Sequence, residues 1–133
     1  MELLNNALFW QKIESLFFSS EIVIDRPKNS TEPKFSDLLY PVDCGYIKEG
    51  TGESKNRLEV FVGSKKSKSI EYIIVAVDIL KKEIDIKLIW GCSEEEIKEI
   101  LFFLNSSDFQ KTILVKKGKD IPTWAENWLL LAK

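Results

Sequence analysis

The stretch SIEYIIVAVDILKKEIDIKLIW, Ser69 to Trp90, decides how this chain is read. Its first part is apolar and β-branched almost without interruption. Its last part alternates charged residues with Ile and Leu, and charge gathers at Lys81, Lys82 and Glu83 between the two. Branching at Cβ costs little on a pleated surface and more in a helix, so both runs suit strands. The charged break between them predicts a hairpin.

Working outward, RLEVFVG (57–63) sets Leu58, Val60 and Val62 against Arg57, Glu59 and Phe61, the period of a strand with one buried face. EIVID (21–25) is a short β-branched strand stopped by Pro27, and residues 28–37 read as a loop holding Pro33. The start, ELLNNALFWQKIESLFF, predicts an amphipathic helix whose apolar face is Leu4, Ala7, Leu8, Ile13, Leu16 and Phe17, ending at Ser19 and Ser20. Downstream, Ser93 and Glu96 form a capping box that opens the helix EEEIKEILFFLN. TILVKK then predicts a strand, and IPTWAENWLLLAK a helix with Trp124, Trp128 and Leu131 on one face. Several short strands with few helices predict an α+β, mainly β fold: a small closed or partly closed barrel with helices at the N-terminus, in the middle and at the C-terminus.

The chain has 133 residues, which predicts one domain with an N-terminal helix over 1–20, a core over 21–117 and a C-terminal helix over 118–133. Apolar residues at 44% and charged residues at 30% indicate a folded globular protein rather than a disordered one. A net charge of -2 argues against a general nucleic-acid surface, which needs a basic excess. No leader-like start and no apolar run of about 18 residues is seen, so no membrane association and a cytoplasmic location are expected. Cys44 and Cys92 are too few for a disulfide framework and fit buried free thiols. There is no histidine, which removes imidazole-dependent nucleophiles, imidazole metal sites and histidine acid/base catalysis together.

Asp25, Arg26, Lys28, Lys34, Glu59, Glu83, Asp85 and Lys87 lie on strands and turns that a small barrel brings to one side. Carboxylates with cations at one mouth suit a phosphate ester or anhydride, the acids holding magnesium and the cations clamping the anion.

EIVIDRPKNSTEPKF, YPVDCGYI, LEVFVGS and VDILKKEIDIKLIWGCSEEEI follow one another in an order that resembles the soluble inorganic pyrophosphatases, in particular a compact bacterial branch. The most specific parts are Tyr40, Pro41, Gly45 and Tyr46, and the acid-x-lysine of Asp85 and Lys87. The resemblance implies a five-stranded OB-type barrel, magnesium as cofactor and pyrophosphate or another phosphorylated small molecule as substrate. It implies Asp25, Asp85 and Tyr46 as catalytic residues, and Lys34, Lys87 and Arg26 as substrate-binding ones. Glu59 and Asp85 would serve the metal, with Glu83, which has no exact counterpart in the family, as a nearby assisting carboxylate and Glu53 as a substitute ligand.

The family's metal loop runs aspartate, glycine, aspartate, two further residues and a third aspartate. Counting back from Glu59, those places hold Ser54, Asn56 and Glu59, with Lys55 and Arg57 adding positive charge. Leu80 and Ser36 stand where further carboxylates are expected, and Cys44 where the family has a tyrosine. Magnesium favours anionic oxygen, so these changes weaken its site. Three readings follow: a slow or altered hydrolase, an inactive relative that keeps phosphate binding, and an assembly protein forming homo-oligomers through Trp124 and Trp128.

Overall fold

The computed structural model describes residues 5–33, 35, 37–48 and 57–118. In chain order these form α1 (Ala7–Phe18), β1 (Glu21–Arg26), β2 (Asp43–Lys48), β3 (Glu59–Val62), β4 (Tyr72–Asp78), β5 (Glu83–Trp90), α2 (Glu94–Leu104) and β6 (Gln110–Lys116). The expected C-terminal helix, with Trp124, Trp128 and Leu131, lies outside the described residues, as do Lys34 and Glu53. No helix among the described residues is long and apolar enough to cross a membrane.

The strands form one mixed sheet in the order β1-β2-β3-β5-β4-β6. β3 and β5 run parallel, and the other neighbours are antiparallel. The expected five-stranded barrel is not seen: the described residues form six strands, and β1 and β6 are the two ends of the order rather than partners. Period-two alternation is common to open and closed sheets, so the pattern alone does not separate them. The strand missed in the sequence is β2, DCGYIK, whose Asp43, Cys44 and Gly45 dilute the β-branched signal to Ile47.

Each face of the sheet has its own core. On one side Ile47, Val60, Ile73 and Leu88 pack with Ile70 and with Trp10 and Phe17 of α1. On the other, Cys44, Phe61, Ile74 and Ile89 pack with Ile97, Ile100, Phe103 and Leu104 of α2, together with Tyr40 and Val42. Burying a side chain of this kind contributes about 1.5–3 kcal/mol relative to leaving it in water, so each cluster holds its helix against one face of the sheet.

Asn6 caps α1, its side chain accepting from Phe9 N at 3.1 Å, so the described helix begins five residues after the expected Glu2. Its buried face is Trp10, Glu14 and Phe17, spaced by four and three, while Leu8 and Leu16 are exposed. The observed face keeps Phe17 of the expected one but leaves out Leu8 and Leu16 and takes in Glu14, which an apolar pattern does not register. Glu14 Oε2 accepts from Ile70 N at 2.8 Å and from Lys117 Nζ at 3.0 Å, tying α1 to the segments before β4 and after β6.

The capping box of α2 is present: Glu96 N donates to Ser93 Oγ, and Glu96 Oε1 accepts from Ser93 N. Glu96 also accepts from Ser64 N and Ser64 Oγ, fastening the end of β3 to the helix start. Between β5 and α2, Gly91 has φ +68, and a Cβ there would meet Lys65 O at 2.1 Å; only glycine suits both demands.

Candidate functional site

On β5, Glu83, Asp85, Lys87 and Ile89 alternate onto the α2 face, and Lys87 is the Cα partner of Glu59 on β3. Glu59 is in turn the partner of Tyr46 on β2. Arg26 joins this row through an irregularity. Ile24 pairs with Gly45, but Arg26 rather than Asp25 pairs with Cys44, so Asp25 is an extra, bulged residue. Without the bulge Arg26 would oppose Asp43 and point to the α1 face; with it, the guanidinium points where Cys44 and Tyr40 are buried. Gly45 makes the close approach possible, since a Cβ there would stand 1.9 Å from Val23 O.

Three charges then converge. Arg26 Nη1 lies 2.6 Å from Glu59 Oε2, and Lys87 Nζ donates to Glu59 Oε1. Arg26 Nε donates to Asp25 Oδ1 at 3.1 Å, Arg26 Nη1 to Tyr40 Oη at 3.3 Å, and Lys87 Nζ to Asp85 Oδ2 at 3.3 Å. The Lys87 side chain is 6% exposed, whereas those of Asp25 and Asp85 are 42% and 48% exposed. Lys87 is thus nearly dry and Glu59, at 24% exposed, partly so, with the two aspartates at the wetter rim.

Burial works to raise the Glu59 carboxyl, but Lys87 and Arg26 outweigh it and hold the group below the ordinary carboxylate value. Burial works to lower Lys87, and Glu59 with Asp85 reverses that, raising it. Burial likewise opposes the charge on Arg26, and the Glu59 carboxylate and the Tyr40 hydroxyl beside it keep its pKa raised. Burial pushes the Cys44 thiol up to about 12, so at neutral pH it is uncharged and Glu59 is the anion that Arg26 meets.

The cluster borders a cavity of about 520 Å³. Arg26, Glu59, Lys87 and Tyr40 line one part of it. Phe61, Phe103 and Phe109 line another, with Phe35 at its edge. The Tyr40 and Phe103 rings touch at 4.5 Å between centroids, so charged and aromatic walls are continuous. Ser106, Ser107 and Gln110, from the α2–β6 connection and the start of β6, add polar groups.

The structure separates the expected site residues. It brings Arg26, Glu59 and Lys87 together on the cavity, with Asp25 and Asp85 bonded to the two cations but outside its lining. Glu83 is exposed at the start of β5 and does not line the cavity. Tyr46 shares the row of Glu59, but its ring lies under the Arg57 guanidinium at 4.1 Å and it does not line the cavity either. Lys28 is exposed, and its backbone N–H bonds Asp43 Oδ1 at 2.8 Å. The aromatic wall was not anticipated as part of a site. Its only sequence signal was a set of phenylalanines scattered over four segments, which reads as core.

Magnesium does not fit the described donors. Among the described residues no group of three or more Cys, Asp or Glu is placed to hold a metal ion. Both oxygens of Glu59 already accept from cations, so a divalent ion there would face Arg26 and Lys87 at contact distance. As placed, both Glu59 oxygens are taken up by the two cations.

No protein-family model matches the chain, and no curated protein matches it. Among solved structures, an inorganic pyrophosphatase from the bacterium Helicobacter pylori is similar at 13% identity and a TM-score of 0.48, over 74% of this chain and 84% of that one. Neither an activity nor a ligand follows from a likeness of that degree.

Proposed function

We propose that this chain is a pyrophosphatase-like binding protein that takes up a phosphorylated small molecule in the cavity beside Arg26, Glu59 and Lys87, with fixed cations in the role that metal ions have in the enzymes. The observation that carries the reading is the convergence of two cations from different strands on one carboxylate at the cavity wall. Arg26 and Lys87 both line the cavity, and of the three carboxylates they meet only Glu59 lines it with them, Asp25 and Asp85 lying at the wetter rim where water screens their charge. Arg26 uses Nε and Nη1 in its contacts with protein, and the rest of its planar fork suits a phosphoryl group. The order of YPVDCGYI, LEVFVGS and IDIKLIW supports the family likeness.

Magnesium-dependent hydrolysis of pyrophosphate is the competing reading. It requires Glu59 to leave both cations and turn to a metal, exposing Lys87 and Arg26 to an uncompensated charge in a half-dry site.

Calorimetric titration of the full chain with pyrophosphate, in magnesium and in a chelator, tests the proposal. Binding that survives the chelator and is lost in Arg26→Ala is the expected result. Phosphate release that requires magnesium and disappears in Asp85→Asn would replace it with the hydrolase reading. Absence of binding to pyrophosphate and to phosphate esters alike would end it.

A further inference from the structure

The cavity holds more than a diphosphate needs. Its volume of about 520 Å³ falls within the range of roughly 300–1,000 Å³ found for sites of drug-sized organic ligands. A bare pyrophosphate would meet Arg26 and Lys87 at one wall and leave the phenylalanine wall facing water. The Phe35 and Phe109 rings stack at 6.0 Å between centroids with 28° between planes, and Phe35 is 41% exposed. The Phe35 backbone is bonded on both sides, its N–H donating to Glu32 O at 3.2 Å and its carbonyl accepting from Leu38 N at 2.9 Å.

Charge points the same way. Glu32, Asp37 and Asp78 also border the cavity, against one further lining cation, Lys81, so a small, highly charged anion that filled it would face an excess of carboxylate away from Arg26 and Lys87. An organic phosphate whose charge is confined to one end, with hydroxyl or amino donors further along, meets those carboxylates as acceptors instead. A flat ring on the phenylalanines, donors toward the carboxylates and serines, and phosphate on Arg26 and Lys87 together describe a nucleotide.

We infer that the ligand of this cavity is a nucleoside phosphate rather than inorganic pyrophosphate, its base resting against the Phe35–Phe109 pair and its phosphate on Arg26 and Lys87. This rests on the phosphate-binding reading above and specifies its ligand class.

Titration of the full chain with pyrophosphate, ribose 5-phosphate and ADP, all in chelator, separates the two claims. ADP is expected to bind about tenfold or more tighter than either of the others, the size of one base-stacking contact. Phe35→Ala, at an exposed position, is expected to remove that advantage while leaving pyrophosphate affinity as it is, with an unchanged thermal melt confirming the fold. Arg26→Ala is expected to weaken both ADP and pyrophosphate. Equal affinity for ADP, ribose 5-phosphate and pyrophosphate, or an ADP preference that persists in a folded Phe35→Ala, overturns the nucleotide assignment and leaves phosphate binding standing. Failure of all three probes to bind overturns the phosphate-binding reading itself.

Discussion

Glu59 of β3 and Lys87 of β5 are Cα partners across a parallel strand pair, and the lysine Nζ donates to Glu59 Oε1. Because Arg26 reaches the other oxygen, one carboxylate is shared by two cations that burial would otherwise penalise. Removing one member of a buried ion pair leaves the rest uncompensated, at a cost of about 3 kcal/mol or more. Glu59→Gln keeps the shape and removes the charge. It is expected to lower stability by about 3 kcal/mol, read as a lower urea midpoint with an unchanged slope. An unaltered midpoint would mean that the cluster is not held as described.

Acid should reveal the same carboxylate. Its folded pKa lies below the ordinary value of 4.5, so between the two the unfolded chain binds more protons and stability rises with pH. The contribution is fully present above 4.5 and is lost as pH falls through the folded value. Urea midpoints from about pH 5 down to about pH 3 are expected to fall more steeply in the wild type than in Glu59→Gln, the difference isolating this group from Glu96, which is also lowered. Parallel slopes would contradict the assignment.

Gly45 is where β1 and β2 approach most closely at the bulge. The Cβ of Gly45→Ala would lie 1.9 Å from Val23 O and 2.8 Å from Ile24 Cα, and both are backbone atoms that cannot swing aside. The strands must separate, at a cost of about 3 kcal/mol, or roughly 10 °C in thermal midpoint for a domain of this size. A melt within a degree or two of wild type would show that β1 does not pair as observed.

Glu14 and Lys117 form a second buried pair, 0% and 3% exposed at the side chain, remote in sequence and not part of the cavity lining. Glu14→Ala is expected to cost about 4 kcal/mol, since it strands the lysine and also the Ile70 N–H that Glu14 accepts. The double change Glu14→Leu, Lys117→Met should recover part of that loss, because no charge remains buried, but not all, because Ile70 N still lacks its acceptor. Additive effects of the single changes in urea unfolding would rule out the coupling.

Burial pushes both cysteine thiols up to about 12, with Glu96 adding to the effect at Cys92. The thiolate is the reactive form, so a thiol reagent at about pH 8 should label neither cysteine of the native chain at the rate of a free thiol, and both at that rate in denaturant. Fast labelling of Cys44 in native protein would place it outside the core beneath Arg26.

What the sequence determined by itself was local. The β4–β5 hairpin, the strand character of β1, β3 and β6, and α2 with its Ser93–Glu96 box all follow from side-chain period, branching and capping, which act over a few residues. The candidate cations and acids were legible as types, and Arg26, Glu59 and Lys87 were among them. Only the tertiary structure decided that these three meet, that Glu83 and Tyr46 stay off the cavity, and that Glu59 is a counter-ion. Those outcomes depend on the extra residue at Asp25 and on the parallel pairing of β3 with β5 past the intervening β4. A one-residue slip in a strand sends every side chain beyond it to the opposite face, and nothing in a local pattern records which register the packed faces select.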